Sequence, residues 1–237
     1  MEFVGGKWGN RLAACVSVIL LHIIIILLSV YLCFFRAEFL NDECEKYQVA
    51  SLLGISGEEL HRVVEELMLR VKGQNGDMDI TVTVDGTGKP FFSQRDVEHI
   101  DDIAGMIKSG KVVCVLSTFG LVGLLSVLRS GDKVKMLCRA YLFSWLVWLL
   151  LSLVIGVWIL YDLTGFINSF HRLFFNNDRW ILNPAKDMLI WLFPTGLFRD
   201  AAVRLAVCLV AVHGVCTVVS LYFIKCTTTK RTPAHLR

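Results

Sequence analysis

Four stretches of the chain run without a charged side chain for long enough to cross a bilayer, and charged, punctuated sequence separates them. Residues 12–35 are 24 such residues between Arg11 and Arg36, and residues 112–128 are 17 between Lys111 and Arg129. Residues 140–161 are 22 between Arg139 and Asp162, and residues 205–224 are 20 between Arg204 and Lys225. About 20 apolar residues, each rising about 1.5 Å, cross a hydrocarbon core roughly 30 Å thick. The pattern therefore predicts four transmembrane helices. The second is at the short limit, and the apolar turn around Ile107 or snorkelling of Lys111 and Arg129 can lengthen it.

The segments between the spans carry other periods. Ser56-Gly57-Glu58-Glu59 is a capping box that starts a helix, with Leu60, Val63, Val64, Leu67, Met68 and Val71 at helical spacing and Gly73 as its stop. Ile80, Val82 and Val84 alternate with polar residues, which predicts a strand, and Asp85-Gly86 is a turn signal. Ser93-Gln94-Arg95-Asp96 is a second cap-like start, followed by a stripe of Val97, Ile100, Ile103, Ala104 and Ile107 leading towards the second span. Residues 162–200 are very aromatic, with Phe166, Ile167, Phe170, Leu173 and Phe174 at amphipathic spacing. Residues 188–198 are uncharged but too short to span, and suit an interfacial or re-entrant element.

Composition sharpens the class. The chain has 237 residues, 55% hydrophobic and only 19% charged, with a mean hydropathy of +0.59. A net charge of +3 does not argue for a nucleic-acid partner. The two ends and residues 129–139 hold ten basic and two acidic residues, Glu2 and Asp132, whereas residues 36–110 hold eight basic and fifteen acidic. The positive-inside rule then predicts a bundle with both termini cytoplasmic. It assigns 1–11 as a cytoplasmic tail, 12–35 as the first span, 36–110 as an extracytoplasmic domain and 112–128 as the second span. Residues 129–139 become a cytoplasmic loop, 140–161 the third span, 162–200 an extracytoplasmic or interfacial segment, 201–224 the fourth span and 225–237 a cytoplasmic tail. The expected fold class is a membrane all-α bundle of four transmembrane helices with a small extracytoplasmic mixed α/β cap and an aromatic interfacial segment.

Leu12-Ala13-Ala14-Cys15 looks like a lipoprotein cleavage box, but it precedes the apolar run instead of ending it, so residues 12–35 read as a retained span. The eight cysteines show no CxxC pair and no zinc spacing.

The candidate chemistry lies in the two outer segments. Asp96 and Asp102 stand three residues before and after His99, so either carboxylate can reach its imidazole on a helix and raise its basicity; an ordinary solvated helix face has the same spacing. His171, Asp178, Asn183 and Asp187 sit among aromatic residues that include Trp180, which suggests a site for an amphipathic lipid or simply an aromatic belt. His22 and His213, near the middles of the first and fourth spans, read mainly as hydrogen-bonding residues of the bundle. Arg204 is placed to snorkel or to meet Asp200.

Phe92-x3-Asp96-x2-His99-x2-Asp102 resembles the first motif of the lipoprotein intramolecular transacylases (Lit), a bacterial four-span family. The run from Phe170-His171-Arg172 through Asn176-Asn177-Asp178-Arg179-Trp180 to Asn183-Pro184, with Asp187, Pro194 and Phe198 beyond it, resembles the second. Departures are Asp96, where the family usually has glutamate, and Ile103-Ala104, where a valine–lysine pair often follows; that lysine is not carried over. The resemblance implies an acyltransferase that moves the sn-2 acyl chain of a diacylglyceryl-cysteine lipoprotein to its N-terminal α-amine, giving a lyso-form lipoprotein.

It also implies His99 and His171 as the catalytic pair. Asp96, Asp102, Asp178, Trp180, Asn183 and Asp187 are the orienting or substrate-binding candidates around them. Expected partners are diacylated bacterial lipoproteins and membrane lipid, with no nucleic acid, no cofactor and no metal. The expected location is the bacterial cell membrane, multi-pass, with the active site at the outer leaflet. A membrane metalloprotease or other lipid-modifying metalloenzyme is one alternative, although no HExxH is present. A non-catalytic transporter or membrane adaptor is another.

Overall fold

The computed structural model describes residues 6–129 and 131–229. Residues 1–5, 130 and 230–237, and with them Glu2, Lys230, Arg231 and Arg237 of the expected cytoplasmic tails, lie outside the described residues. The fold is mostly helical. In chain order it comprises α1 (Lys7–Phe34), α2 (Ala37–Lys46), α3 (Val49–Leu53), α4 (Gly57–Val71), β1 (Thr81–Val84) and β2 (Thr87–Pro90). There follow α5 (Gln94–Val127), α6 (Gly131–Tyr161), α7 (Leu163–Phe174), a 3₁₀ segment (Met188–Leu192) and α8 (Thr195–Thr229). Helices α1, α5, α6 and α8 are long and apolar enough to cross a membrane.

The chain divides into two compact units, and each of these four helices contributes residues to both. The first unit holds Met1–Ser29, Val112–Val157 and Ala206–Arg237. Here α1 is the best covered helix, burying Ala13, Ala14, Val18 and Ile25, while α5, α6 and α8 leave residues such as Leu116, Phe119, Leu150, Leu153, Val207 and Val215 exposed. Acyl chains suit such a surface, because the backbone polar groups beneath it are satisfied within each helix.

Several polar side chains in this unit find partners nearby. His22 is buried, donates from Nδ1 to the Val18 carbonyl at 2.7 Å, and stacks on Trp148 and His213 with centroids 5.4 and 5.1 Å away. The Tyr141 hydroxyl lies 2.9 Å from His213 Nδ1. These rings join α1, α6 and α8, which is the bundle-holding role expected of the two histidines.

The second unit holds Val30–Lys111 and Trp158–Leu205. Ser56 caps α4 through a complete capping box with Glu59, and the predicted apolar face, Leu60 to Val71, is buried. Its core also takes Leu40, Val49 and Leu53 from α2 and α3, Ile80 and Val82 beside and on β1, and Ile100 and Ile107 from α5. β1 and β2 form an antiparallel hairpin closed by Asp85 and Gly86, both at positive φ (51° and 74°), as a two-residue turn matching the strand twist demands.

The structure differs from the sequence reading in two places. The stripe before the second span and the span itself are one helix of 34 residues, about 51 Å long, of which the hydrocarbon core needs only the apolar second half. Lys133, Lys135 and Arg139 lie on the first turns of α6, not in a loop. Residues 36–110 and 162–200 pack together, because Leu189, Leu192 and Leu197 share one core with Leu40, Val63 and Ile100.

Asp200 also departs from expectation. It accepts from Lys46 and Tyr47, each at 2.5 Å, which holds its carboxyl down at about 2, while Arg204 lies over the Phe39 ring. Arg204 therefore finds an aromatic face instead of a carboxylate.

Candidate active site

Ser93 is the hub from which the site is built. Its hydroxyl accepts from the Asp96 amide at 3.1 Å, and the Asp96 carboxylate accepts from the Ser93 amide at 3.0 Å, so α5 starts with a reciprocal cap in which aspartate replaces the usual glutamate. The same hydroxyl donates to Asp187 at 2.8 Å, and the other oxygen of Asp187 accepts from the Asn183 amide at 2.7 Å. Asp96 is 0% exposed and its Oδ1 has no partner. Burial raises its carboxyl above the ordinary range, against the Ser93 bonds that lower it, and Asp187 adds to the rise.

The segment after α7 is fastened to α5 on a second side. Arg95 donates to the carbonyls of Asp178 and, at 3.2 Å, of Arg179. Arg179 reaches Glu98 at 3.0 Å and both oxygens of Asp102 at 3.2 Å, and Asn177 donates to Asp102 at 3.0 Å. Glu98 and Asp102 are four residues apart on one face of α5, the spacing that lets a single guanidinium bridge them.

These two fastenings bring the histidines together. His99 and His171 have ring centroids 5.8 Å apart, and the Phe175 ring stands edge-to-face with His99, centroids 5.2 Å apart. His171 sits in the last turn of α7 and donates from Nδ1 to the Ile167 carbonyl at 2.8 Å. The neutral ring therefore carries its free lone pair on Nε2. Trp180 stacks on that ring at 5.0 Å and 26°. His99 is only 4% exposed, its Nδ1 has no partner, and burial, with the nearby His171 adding, pulls its pKa down to about 4 despite Asp102.

The candidates thus separate into groups. His99, His171 and Trp180 meet at one place. Asp96 and Asp187 meet through Ser93, and neither hydrogen-bonds a histidine. Asp102, expected to orient His99, is held by Arg179 and Asn177 instead, because a guanidinium fork outcompetes a neutral ring for a carboxylate. Asp178 is exposed and contributes its carbonyl, and the Asn183 side chain accepts from the Ala185 amide at 3.0 Å, closing a turn. Ser93 as a hub, Arg95, Arg179 and Asn177 are the additions that sequence reasoning missed; the Glu98/Asp102 spacing was the available signal for Arg179. Among the described residues no three His, Cys, Asp or Glu side chains converge as metal ligands. Cys44 is buried, which pushes its thiol up to about 12 and leaves it inert as a nucleophile.

The His99 environment makes a stability prediction. A histidine depressed from about 6.5 to about 4 contributes stability that is present above the unfolded value and lost as pH falls through the folded one. Between pH 7 and pH 4 that contribution amounts to about 3 kcal/mol. Denaturation of the purified protein across this range is expected to show the loss, and His99→Gln to show a slope shallower by that amount. Parallel slopes would refute the burial of a neutral ring.

Fold and site together define a four-helix integral membrane protein with paired histidines held beside an aromatic segment. The model of the family described as lipoprotein intramolecular transacylase Lit matches residues 15–198, and the chain belongs to that family of acyltransferases, whose substrates are lipoproteins. The in meso structure of the membrane integral Lit from Bacillus cereus has a TM-score of 0.74 at 16% identity, covering 94% of this chain and 100% of that one. A variant of that enzyme with a histidine replaced by arginine gives 0.68 at 16%, covering 94% and 95%, and a histidine-to-alanine variant gives 0.67 at 16%, covering 93% and 96%. At this identity the likeness shows the fold. No curated protein matches the chain.

Proposed function

We propose that this transacylase moves the sn-2 acyl chain of a diacylglyceryl-cysteine lipoprotein to its own α-amine, with His171 as base and His99 as an uncharged hydrogen-bond donor. The observation that carries the reading is the unequal pair: two rings 5.8 Å apart, one with its lone pair presented by a backbone hydrogen bond, the other held neutral by burial. His171 Nε2 takes a proton from the α-ammonium. The freed amine attacks the sn-2 ester carbonyl and sheds a second proton, the ester C–O bond breaks, and the glycerol oxygen takes up one of the two protons and leaves as an alcohol. Amide and alcohol replace ammonium and ester, so one proton is released overall.

His99 is too weakly basic to remove that proton. With its own proton on Nε2 it donates to the carbonyl oxygen as charge develops there, a role an uncharged imidazole performs well. Donor and acceptor belong to one molecule, so no covalent nucleophile is required and proximity supplies much of the rate. The exposed apolar side chains Phe170, Leu173 and Phe174 of α7 suit the acyl chains. The distribution of basic residues supports a bacterial cell membrane location with both termini cytoplasmic and the site at the outer leaflet.

The test is expression in a cell whose lipoproteins keep a free diacylglyceryl-cysteine, followed by mass spectrometry of one lipoprotein N-terminal peptide. The intact mass is unchanged by the transfer, so fragment ions must show an acylated amine and a lyso-glyceryl thioether. Fragments with a free amine and both ester chains would sink the reading.

A further inference from the structure

The base described above has an unusual electrostatic setting. His171 uses Nδ1 on a backbone carbonyl, and none of the hydrogen bonds or ion pairs among the described residues joins a carboxylate to its ring. The charged and titratable groups that face it are few. From α5 there are His99, 5.8 Å away and uncharged, and Asp102, already bonded by Arg179 and Asn177. From its own helix there is the neighbouring Arg172, which is exposed, and from the following segment Arg179, engaged with Glu98 and Asp102. When His171 takes the substrate's proton it becomes a cation with no anion bonded to it. What does lie flat against it is the Trp180 indole, at 5.0 Å and 26°. Phe175 and Phe170 add ring contacts at 5.7 and 5.8 Å, the second edge-on.

We propose that Trp180 is a positioning residue for the transfer, and that its indole face stabilises the protonated form of His171 while fixing the plane in which Nε2 meets the amine. Tryptophan offers the most electron-rich face available to a cation, and the interaction strengthens where water is excluded. The side chain is held in register by its neighbour, because Arg179 fastens this segment to Glu98 and Asp102. The acid limb of the reaction, where His171 becomes protonated before substrate arrives, then carries the signature of Trp180. Removing the indole takes away the aromatic face against which the cation rests, so the limb is expected to move to lower pH.

This inference rests on His171 being the base, and the experiment separates the two. The full chain is purified and given a synthetic diacylglyceryl lipopeptide with a free α-amine, and N-acylation is followed by mass spectrometry from pH 5 to pH 9. Trp180→Leu is expected to shift the acid limb of kcat/KM down by about one pH unit, and Trp180→Phe by less. A fluorinated tryptophan placed at position 180 keeps the shape and drains the ring of charge, so it is expected to give a graded downward shift even where the leucine variant folds poorly. An unmoved limb with a lowered rate would make Trp180 a packing or substrate contact only, and an upward shift would make its effect desolvation; either overturns the proposal. His171→Ala is the control: if it remains active, the base assignment itself has failed, whereas an inactive His171→Ala with unmoved tryptophan limbs condemns this inference alone.

Discussion

His171→Gln is expected to lower the rate of acyl transfer by about 10³-fold, and His99→Gln by only about 10-fold. The asymmetry follows from what each ring supplies. Glutamine has no lone pair basic enough to take a proton from an ammonium, so at position 171 the step that creates the nucleophile is lost. At position 99 a glutamine amide still offers an N–H towards the carbonyl oxygen, and the uncharged role survives in part. His99→Ala removes that donor and is expected to fall between the two. The measurement is a single-turnover assay on the purified variants with the synthetic lipopeptide, alongside thermal unfolding to show that each is folded. Equal losses at the two positions would mean that both rings exchange protons with the substrate, and the division of labour would be wrong.

Much of the local structure was legible because it depends on near neighbours. The Ser56 box needs only Glu59, and the hairpin needs only Asp85 and Gly86 to accept positive φ. The four spans are legible from the solvent they demand. Helix limits are another matter. Lys108 and Lys111 mark where an apolar run stops, but between Ile107 and Val112 only Gly110 weakens the helix and no proline stops it, so α5 passes through unbroken. Charge reports on the surroundings of a helix, not on its ends.

Within the site the same limit applies. Spacing shows that Asp96 and Asp102 can reach His99, but the partner each carboxylate takes depends on donors distant in sequence. Asp102 takes Arg179 and Asn177, and Asp96 takes the amide of Ser93, whose hydroxyl in turn holds Asp187, 94 residues away. The choice is a competition among donors, and a charged fork or an oriented amide wins over a neutral imidazole. The pairing of His99 with His171 is likewise a consequence of the shared core that carries Ile100 and Leu189, which no single stretch of sequence displays.

Ser93→Ala is expected to destabilise the protein by about 3 kcal/mol, more than a surface cap normally commands. A lost N-cap accounts for about 1 kcal/mol of that. The remainder comes from Asp187, which is 5% exposed and loses the hydrogen bond from the Ser93 hydroxyl in a buried setting. Ser93→Thr keeps the hydroxyl and is expected to retain most of the stability. Denaturant titration of the two variants checks this, and an alanine variant within 0.5 kcal/mol of the parent would show that Ser93 is only a cap. The loss should also depend on pH. Burial and the neighbouring Asp187 hold the Asp96 carboxyl above its ordinary range, while its contacts with Ser93 pull it down. A carboxyl whose folded pKa lies above its unfolded value costs stability as pH rises through that interval. Ser93→Ala removes the side-chain contact that lowers the Asp96 carboxyl, so it should lose more stability above that interval than below it. His99 lies six residues along the same helix from this clamp, so the alanine variant should lose transfer activity faster than it loses folded protein as the pH is raised.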